Sequence, residues 1–229
     1  MTYIEGCRNG ESLLQGLFIT VEGPDGSGKT TLVGELGVYL ANQLKVPLTV
    51  TREPGGSEIA EKIREVIIDP VNKEMDDRTE ALLFAASRRQ HIVETIKPAL
   101  ARGEVVLCDR FVDSSIAYQG AGREIGVKEV ATLNQFATEN LTPDLTLYLD
   151  VDAQEGLNRI GSELSNRQKD RLELEKIDFH NRVREAYHVL LKKHSERMIL
   201  IDATQSKEKV FDDAWQELKS KLQELDLLK

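Results

Sequence analysis

Eight consecutive residues, Gly23-Pro24-Asp25-Gly26-Ser27-Gly28-Lys29-Thr30, carry the spacing G-x-x-x-x-G-K-[ST]. Glycines let backbone N–H groups turn inward and approach an anion closely. A helix opening directly after them adds the partial positive charge of its N-terminus. In that setting Lys29 reaches the β/γ-phosphates of a nucleotide, and the Thr30 hydroxyl can ligate magnesium. The candidate triphosphate-binding set is therefore Gly23, Pro24, Asp25, Gly26, Ser27, Gly28, Lys29, Thr30 and Thr31. The plainer alternative is a glycine-rich turn with an exposed lysine. The motif supports triphosphate binding and leaves the reaction open.

Three further stretches narrow the reaction. Thr51-Arg52-Glu53-Pro54-Gly55-Gly56-Ser57 ends one apolar run, and Asp109-Arg110-Phe111 ends another. Between them lies Leu82-Leu83-Phe84-Ala85-Ala86-Ser87-Arg88-Arg89-Gln90-His91. Arginines and an aspartate beside a phosphate loop suit transfer between two phosphorylated ligands. Guanidinium forks match phosphate oxygens better than a lysine point charge does. Guanine specificity in a GTPase switch usually needs N-K-x-D after a strand. The only NK here is Asn72-Lys73-Glu74-Met75, without the aspartate, so that class is disfavoured.

These residues need a frame. Strands are expected at 17–22, 47–51, 104–109, 145–151 and 198–202. Helices are expected at 30–44, 58–69, 78–102 (bent near Pro98), 127–139, 172–195 and 207–225. Strands separated by helices imply one parallel sheet with right-handed crossovers. In such a sheet ligands sit beyond the carboxyl ends of the strands, where Arg52, Asp109 and Arg110 fall. On 58–69, Ile59, Ile63 and Val66/Ile67 form one apolar stripe. No Pro/Gly/Ser-rich linker divides the chain. Residues 17–229 are expected to form one domain, preceded by a flexible extension over 1–16.

The chain has 229 residues, 40% hydrophobic and 30% charged, with a net charge of −9. That composition builds an ordinary globular core. The acidic balance disfavours nucleic-acid and membrane-surface partners. No apolar run approaches the roughly 20 residues of a membrane span. Two cysteines, Cys7 and Cys108, cannot make a disulfide framework, and Cys108 reads as a buried small hydrophobe. A cytoplasmic location is expected. His91 reads as a helix-surface or packing residue, and Trp215 as core packing.

Together, the phosphate loop, Arg52-Glu53-Pro54-Gly55-Gly56 and Asp109-Arg110-Phe111…Tyr118-Gln119-Gly120-Ala121-Gly122-Arg123 closely resemble the thymidylate kinase family of P-loop nucleoside monophosphate kinases. The likeness runs from about Leu17 to the last helix. It implies an α/β fold with a five-stranded parallel sheet flanked by helices and a mobile lid, here about 159–172. It implies ATP and magnesium-dependent phosphorylation of dTMP to dTDP by a homodimer. By the same resemblance, Phe84 stacks on thymine and Arg88, one turn on, donates to a thymine carbonyl. Arg52 and Arg110 clamp the acceptor phosphate, and Asp25 meets the deoxyribose 3′-hydroxyl. Ser115 and Gln119 contact the base, while Tyr118 crowds the 2′ position. Asp109, with Thr30, stands near magnesium. Without the resemblance, Phe84 reads as core and Arg88 as solvated.

Some relatives carry an arginine in the phosphate loop where this chain has Gly26. Others supply the cation from the lid, and 159–173 is basic and glycine-containing. Arg167 is the first candidate for that cation, then Arg159 and Arg171. Ser57 stands where threonine is commoner, with the hydroxyl kept. Ala203-Thr204-Gln205 resembles an adenine-flanking loop. Two readings stay open beside this one: a kinase for another nucleotide or deoxynucleoside, and an ATP-binding regulatory or partition protein.

Overall fold

Short apolar runs between longer helices form parallel strands in the computed structural model, which describes residues 16–163 and 170–229. Among the described residues five strands form one sheet: β1 (Leu17–Glu22), β2 (Leu48–Arg52), β3 (Val105–Asp109), β4 (Leu145–Asp150) and β5 (Met198–Asp202). Their order is β2-β3-β1-β4-β5 and every pairing is parallel. Central β1 and β3 are buried at every position, as strands covered on both faces must be. The register aligns Arg52 with Asp109, and Asp109 with Val21. The ends of β2, β3 and β1 thus deliver Arg52, Asp109 and the phosphate loop to one edge.

One face of the sheet is covered by α1 (Lys29–Gln43) and α9 (Lys207–Glu224). Leu32, Leu36 and Leu40 of α1 meet Ile19, Val21, Leu147 and Leu149, with Ala214, Leu218 and Leu222 of α9. Each fully buried leucine contributes about 1.5–3 kcal/mol. Trp215 packs against this cluster, edge-on to Tyr39. On the other face Phe18, Val106 and Cys108 pack against Ile92, Ile96 and Phe111. A third cluster joins Tyr148 to Phe179, Val183 and Tyr187 of α8 (Ile177–Lys193).

Most boundaries lie within a residue of expectation, and the departures have local causes. The helix expected at 78–102 is α3 (Asp77–His91), a π-helical turn at Ile92–Ile96 and α4 (Lys97–Ala101). The break sits just before Pro98, which has no N–H to continue the ladder, and Lys97 N–H instead donates to Ile92 O. The helix expected from Leu172 starts at Ile177. Before it, Asp170 Oδ1 accepts from Leu172 and Glu173 N–H and holds a turn. A helix α7 (Ala153–Glu163) runs into the start of the expected lid segment; Gly156, Gly161 and its polar surface concealed it. Helical turns also run through α5 (Val112–Ser115) and the π-helical Ile116–Gly122, followed by α6 (Val127–Thr138). In α2 (Glu58–Ile68) Ile67 of the apolar stripe is buried with Ala60, while Ile59 and Val66 are 48% and 46% exposed. Gly16 N–H donates to Leu100 O at 3.0 Å.

Candidate active site

The loop after β1 turns on Gly23, Gly26 and Gly28, with φ of 149°, 75° and 88°, and Gly28 caps α1. Lys29 lies folded across it, its Nζ donating to Pro24 O at 2.6 Å and Ser27 Oγ at 3.3 Å. Burial, helped by Arg110, brings the Lys29 ammonium down to about 8, against the pull of Asp25 and Asp109. Thr30 Oγ1 donates to Asp109 Oδ2 at 2.7 Å. Asp109 Oδ1 is buried without a partner. A hydroxyl and an orphaned carboxylate oxygen beside a phosphate loop are hard oxygen donors, so the residues fit magnesium. Pro24 and Ser27 support Lys29, and Thr31 lines the cleft beside Thr30.

Beyond the loop a second cavity is lined by Phe84, Arg88, Ser115, Tyr118 and Gln119. All five acceptor candidates on these helices therefore converge. Arg88 is not solvated but 2% exposed. Its Nε donates to Glu53 Oε2 at 2.7 Å, Nη1 to Ser115 Oγ at 2.9 Å and to Asn134 Oδ1, and Nη2 to Phe111 O at 3.0 Å. Four of its five N–H groups are engaged, which leaves one for a ligand. Glu53 also meets His91 Nδ1 at 3.0 Å, and His91 Nε2 pairs with Thr51 Oγ1 at 2.7 Å. His91 is thus buried packing, not helix surface.

Arg110 adopts φ 70°, a conformation uncommon for a side-chain-bearing residue and suggestive of a functional constraint. Its Nη1 donates to Gly23 O at 2.9 Å and Ser114 Oγ at 3.1 Å; Nη2 donates to Tyr118 Oη at 3.1 Å and pairs with Asp25 Oδ1. Burial raises the Asp25 carboxyl, but Arg110 and Lys29 outweigh it and the net direction is down. Asp25 Oδ2 has no partner. Glu22 fixes the strained corner, accepting from Phe111 N–H at 2.7 Å, Ser114 Oγ at 2.6 Å and Tyr187 Oη at 2.9 Å. Glu22 reads in the sequence only as the last strand residue; its burial inside the sheet gave no pattern to find.

The cavity and the phosphate-loop cleft share Asp25, Glu53, Arg64, Arg110 and Asp170. Glu53, Arg64 and Asp170 were not singled out from sequence, although Glu53 lies within the quoted Arg52-to-Ser57 stretch. Arg52 lines only the cleft, half-exposed, paired with Glu61 at 2.9 Å. Of the lid candidates, Arg159 lines the cleft and donates to Glu155 Oε1 at 3.0 Å and Ala203 O at 2.9 Å, which also brings Ala203 and Gln205 there. Arg171 does not join them: it is buried, paired with Glu80 and donating to Ile67 O at 3.1 Å. Arg167 lies outside the described residues. Gly26, where an arginine was considered, has no room for one, since a Cβ there would lie 2.1 Å from Gly156 O.

A phosphate loop at the carboxyl edge of a five-stranded parallel sheet, opening onto a second cavity lined by an aromatic ring and guanidinium groups, defines a P-loop kinase of the nucleoside monophosphate type. Within that class the chain belongs to the thymidylate kinase family, whose model matches residues 21–214. A thymidylate kinase of Lacticaseibacillus casei is 56% identical over 212 residues, which is 93% of this chain and 99% of that one. One from Enterococcus faecalis is 56% identical over 203 residues, 89% and 95% of the two chains. The crystal structure of thymidylate kinase from Ehrlichia chaffeensis superposes with a TM-score of 0.70 at 32% identity, covering 89% of this chain and 98% of that one.

Proposed function

We propose that this chain phosphorylates dTMP to dTDP, with ATP as phosphoryl donor, in dTTP synthesis. Membership of the thymidylate kinase family supports the substrate. The observation that carries the reaction is that Asp25 and Arg110 line both cavities, so two anionic ligands meet across one ion pair.

The acceptor phosphate is already ionised and needs no strong base, so positioning and charge neutralisation dominate. Lys29 and the loop amides hold the donor phosphates. Arg110, with Arg52 at the rim, holds the acceptor phosphate. The Asp25 Oδ2 accepts from the 3′-hydroxyl. Phe84 stacks on the base, Arg88 offers its free N–H to a carbonyl, and Ser115 and Gln119 line the base edge. Tyr118 disfavours a 2′-hydroxyl by bulk. Thr30 and Asp109 would hold magnesium, which would supply charge neutralisation for the anionic ligands. Residues 159–172 act as a lid on a single P-loop kinase domain over 17–229, and closure expels water that would otherwise hydrolyse ATP. Arg159 or Arg167 supplies the lid cation, and the burial of Arg171 argues against it.

A homodimer is proposed from exposed apolar side chains. Ile59 and Val66 of α2, Leu82 of α3 and Phe136 of α6 lie on helices that adjoin in the order α2, α3, α6, with Phe136 85% exposed. No helix among the described residues is long and apolar enough to cross a membrane, and a cytoplasmic setting is proposed.

The decisive experiment incubates purified protein with ATP and each monophosphate separately. ADP release with dTMP well above that with dUMP, dCMP or AMP is expected. The reverse order refutes the reading, as does ATP hydrolysis indifferent to dTMP.

A further inference from the structure

Gln119 lines the acceptor cavity, and what its amide presents there depends on the group behind it. That group is Glu80, on α3 and wholly buried. Glu80 Oε1 accepts from Gln119 Nε2 at 2.8 Å. Arg123 Nε donates to Oε1 at 3.3 Å and to Oε2 at 3.2 Å, and Arg171 Nη2 donates to Oε2. With two guanidinium groups donating to it, the carboxylate serves as an acceptor. The amide of Gln119 must therefore turn its nitrogen towards Glu80. Its carbonyl, Oε1, has no hydrogen-bond partner among the described residues.

We infer that Glu80 is a specificity-positioning residue: by holding the Gln119 nitrogen it presents a hydrogen-bond acceptor, rather than a donor, to the base. The inference rests on the dTMP reading of this cavity. A pyrimidine with an N–H at ring position 3, as in thymine, meets that acceptor with a donor. Cytosine carries a bare ring nitrogen there, so two acceptors face each other. A site built to accept one hydrogen bond rejects the analogue that cannot give it, because a buried polar atom is left unpaired. Arg88, with one N–H to spare, supplies the complementary donor. The same carboxylate also holds Arg171, near the end of the expected lid segment.

The test is the ratio of kcat/KM for dTMP to that for dCMP. In Glu80→Gln the new side chain can donate to Gln119 Oε1, and the Gln119 amide is free to turn its nitrogen to the base. The ratio is expected to fall by about tenfold, the effect of one reversed hydrogen bond. Glu80→Gln leaves two arginines short of an anion, so Glu80→Gln combined with Arg123→Gln removes one charge of each sign. Measured against Arg123→Gln alone, the double variant should show the same fall. A ratio that stays within about twofold while overall activity or melting temperature drops makes Glu80 structural only and overturns the inference. So does wild-type protein that uses dTMP without preferring it to dCMP. Wild-type protein that leaves dTMP untouched refutes the functional reading itself.

Discussion

Thr30 Oγ1 donates to one oxygen of Asp109 at 2.7 Å, while the other oxygen of that carboxylate is buried and unpartnered. Burying an acceptor without a donor costs roughly 1–3 kcal/mol, so the arrangement is one that a bound cation relieves. Asp109→Asn keeps the shape and removes the charge. Its magnesium requirement should rise by about 10- to 100-fold at saturating nucleotides, read by titrating the metal. An unchanged metal dependence would move Asp109 out of the metal's shell.

Lys29 gives a pH signature. Its ammonium sits at about 8 through burial first and Arg110 second. The unfolded lysine titrates near 10.5, so the unfolded chain binds more protons between the two values. The Lys29 contribution therefore makes the ligand-free protein more stable as pH rises through that window. ATP, which needs the ammonium, should bind more weakly above about pH 8 and take up a proton on binding. Calorimetry in two buffers of different ionisation enthalpy reads that proton. In Lys29→Met both effects should vanish.

Removing the base-facing arginine should disturb more than the base. Arg88 is pinned by Glu53, Ser115, Asn134 and Phe111 O. Arg88→Met strands the buried Glu53, a loss of about 3–5 kcal/mol that lowers the melting temperature by roughly 10 °C. At a temperature where the variant is folded, dTMP affinity should fall while ATP affinity stays near wild type. Equal loss of both would refute the base contact.

The two described lid candidates should separate. Arg159→Ala should lower turnover or raise the KM for ATP about tenfold with little change in melting temperature. Arg171→Ala strips a cation from the buried Glu80 and should instead cost thermal stability. A stable Arg171→Ala with collapsed turnover would restore it as the catalytic cation.

Phe136, 85% exposed on α6, is the simplest probe of association. Phe136→Asp should convert a dimer to monomer in sedimentation at micromolar concentration. A wild-type monomer refutes the proposed interface.

The division between what could and could not be read in the chain follows physical range. The phosphate loop and the five strands are local patterns of spacing and apolarity, and each was legible. The Phe84–Arg88 pair came only from the family resemblance, because its spacing alone reads as core and solvated surface. Glu22, Glu53 and Glu80 were not, because a carboxylate in a sequence reads as surface until its arginine or amide partners arrive from other elements. The same range limit made Arg171 look free, when its partners lie 91 and 104 residues away. The start of α8 was missed because the Asp170 turn competes with helix. Ile59, Val66 and Ile67 share one helical period in the sequence, and only the neighbouring helices reveal that Ile67, with Ala60, faces the core while Ile59 and Val66 stay exposed.

Gly26 and Gly156 meet backbone to backbone: a Cβ on Gly26 would stand 2.1 Å from Gly156 O, and one on Gly156 would stand 2.3 Å from Asp25 O. The consequence is historical as much as mechanical. A single substitution cannot carry an arginine into the loop, because the first step meets the α7 backbone and a positive φ together. Nor can α7 gain a side chain at 156 without displacing the loop. The two solutions to placing a cation over the phosphates are therefore separated by a valley in which both residues must change at once. Under the proposed function, that charge is left to the lid side, and Gly26 and Gly156 keep the loop side closed to it.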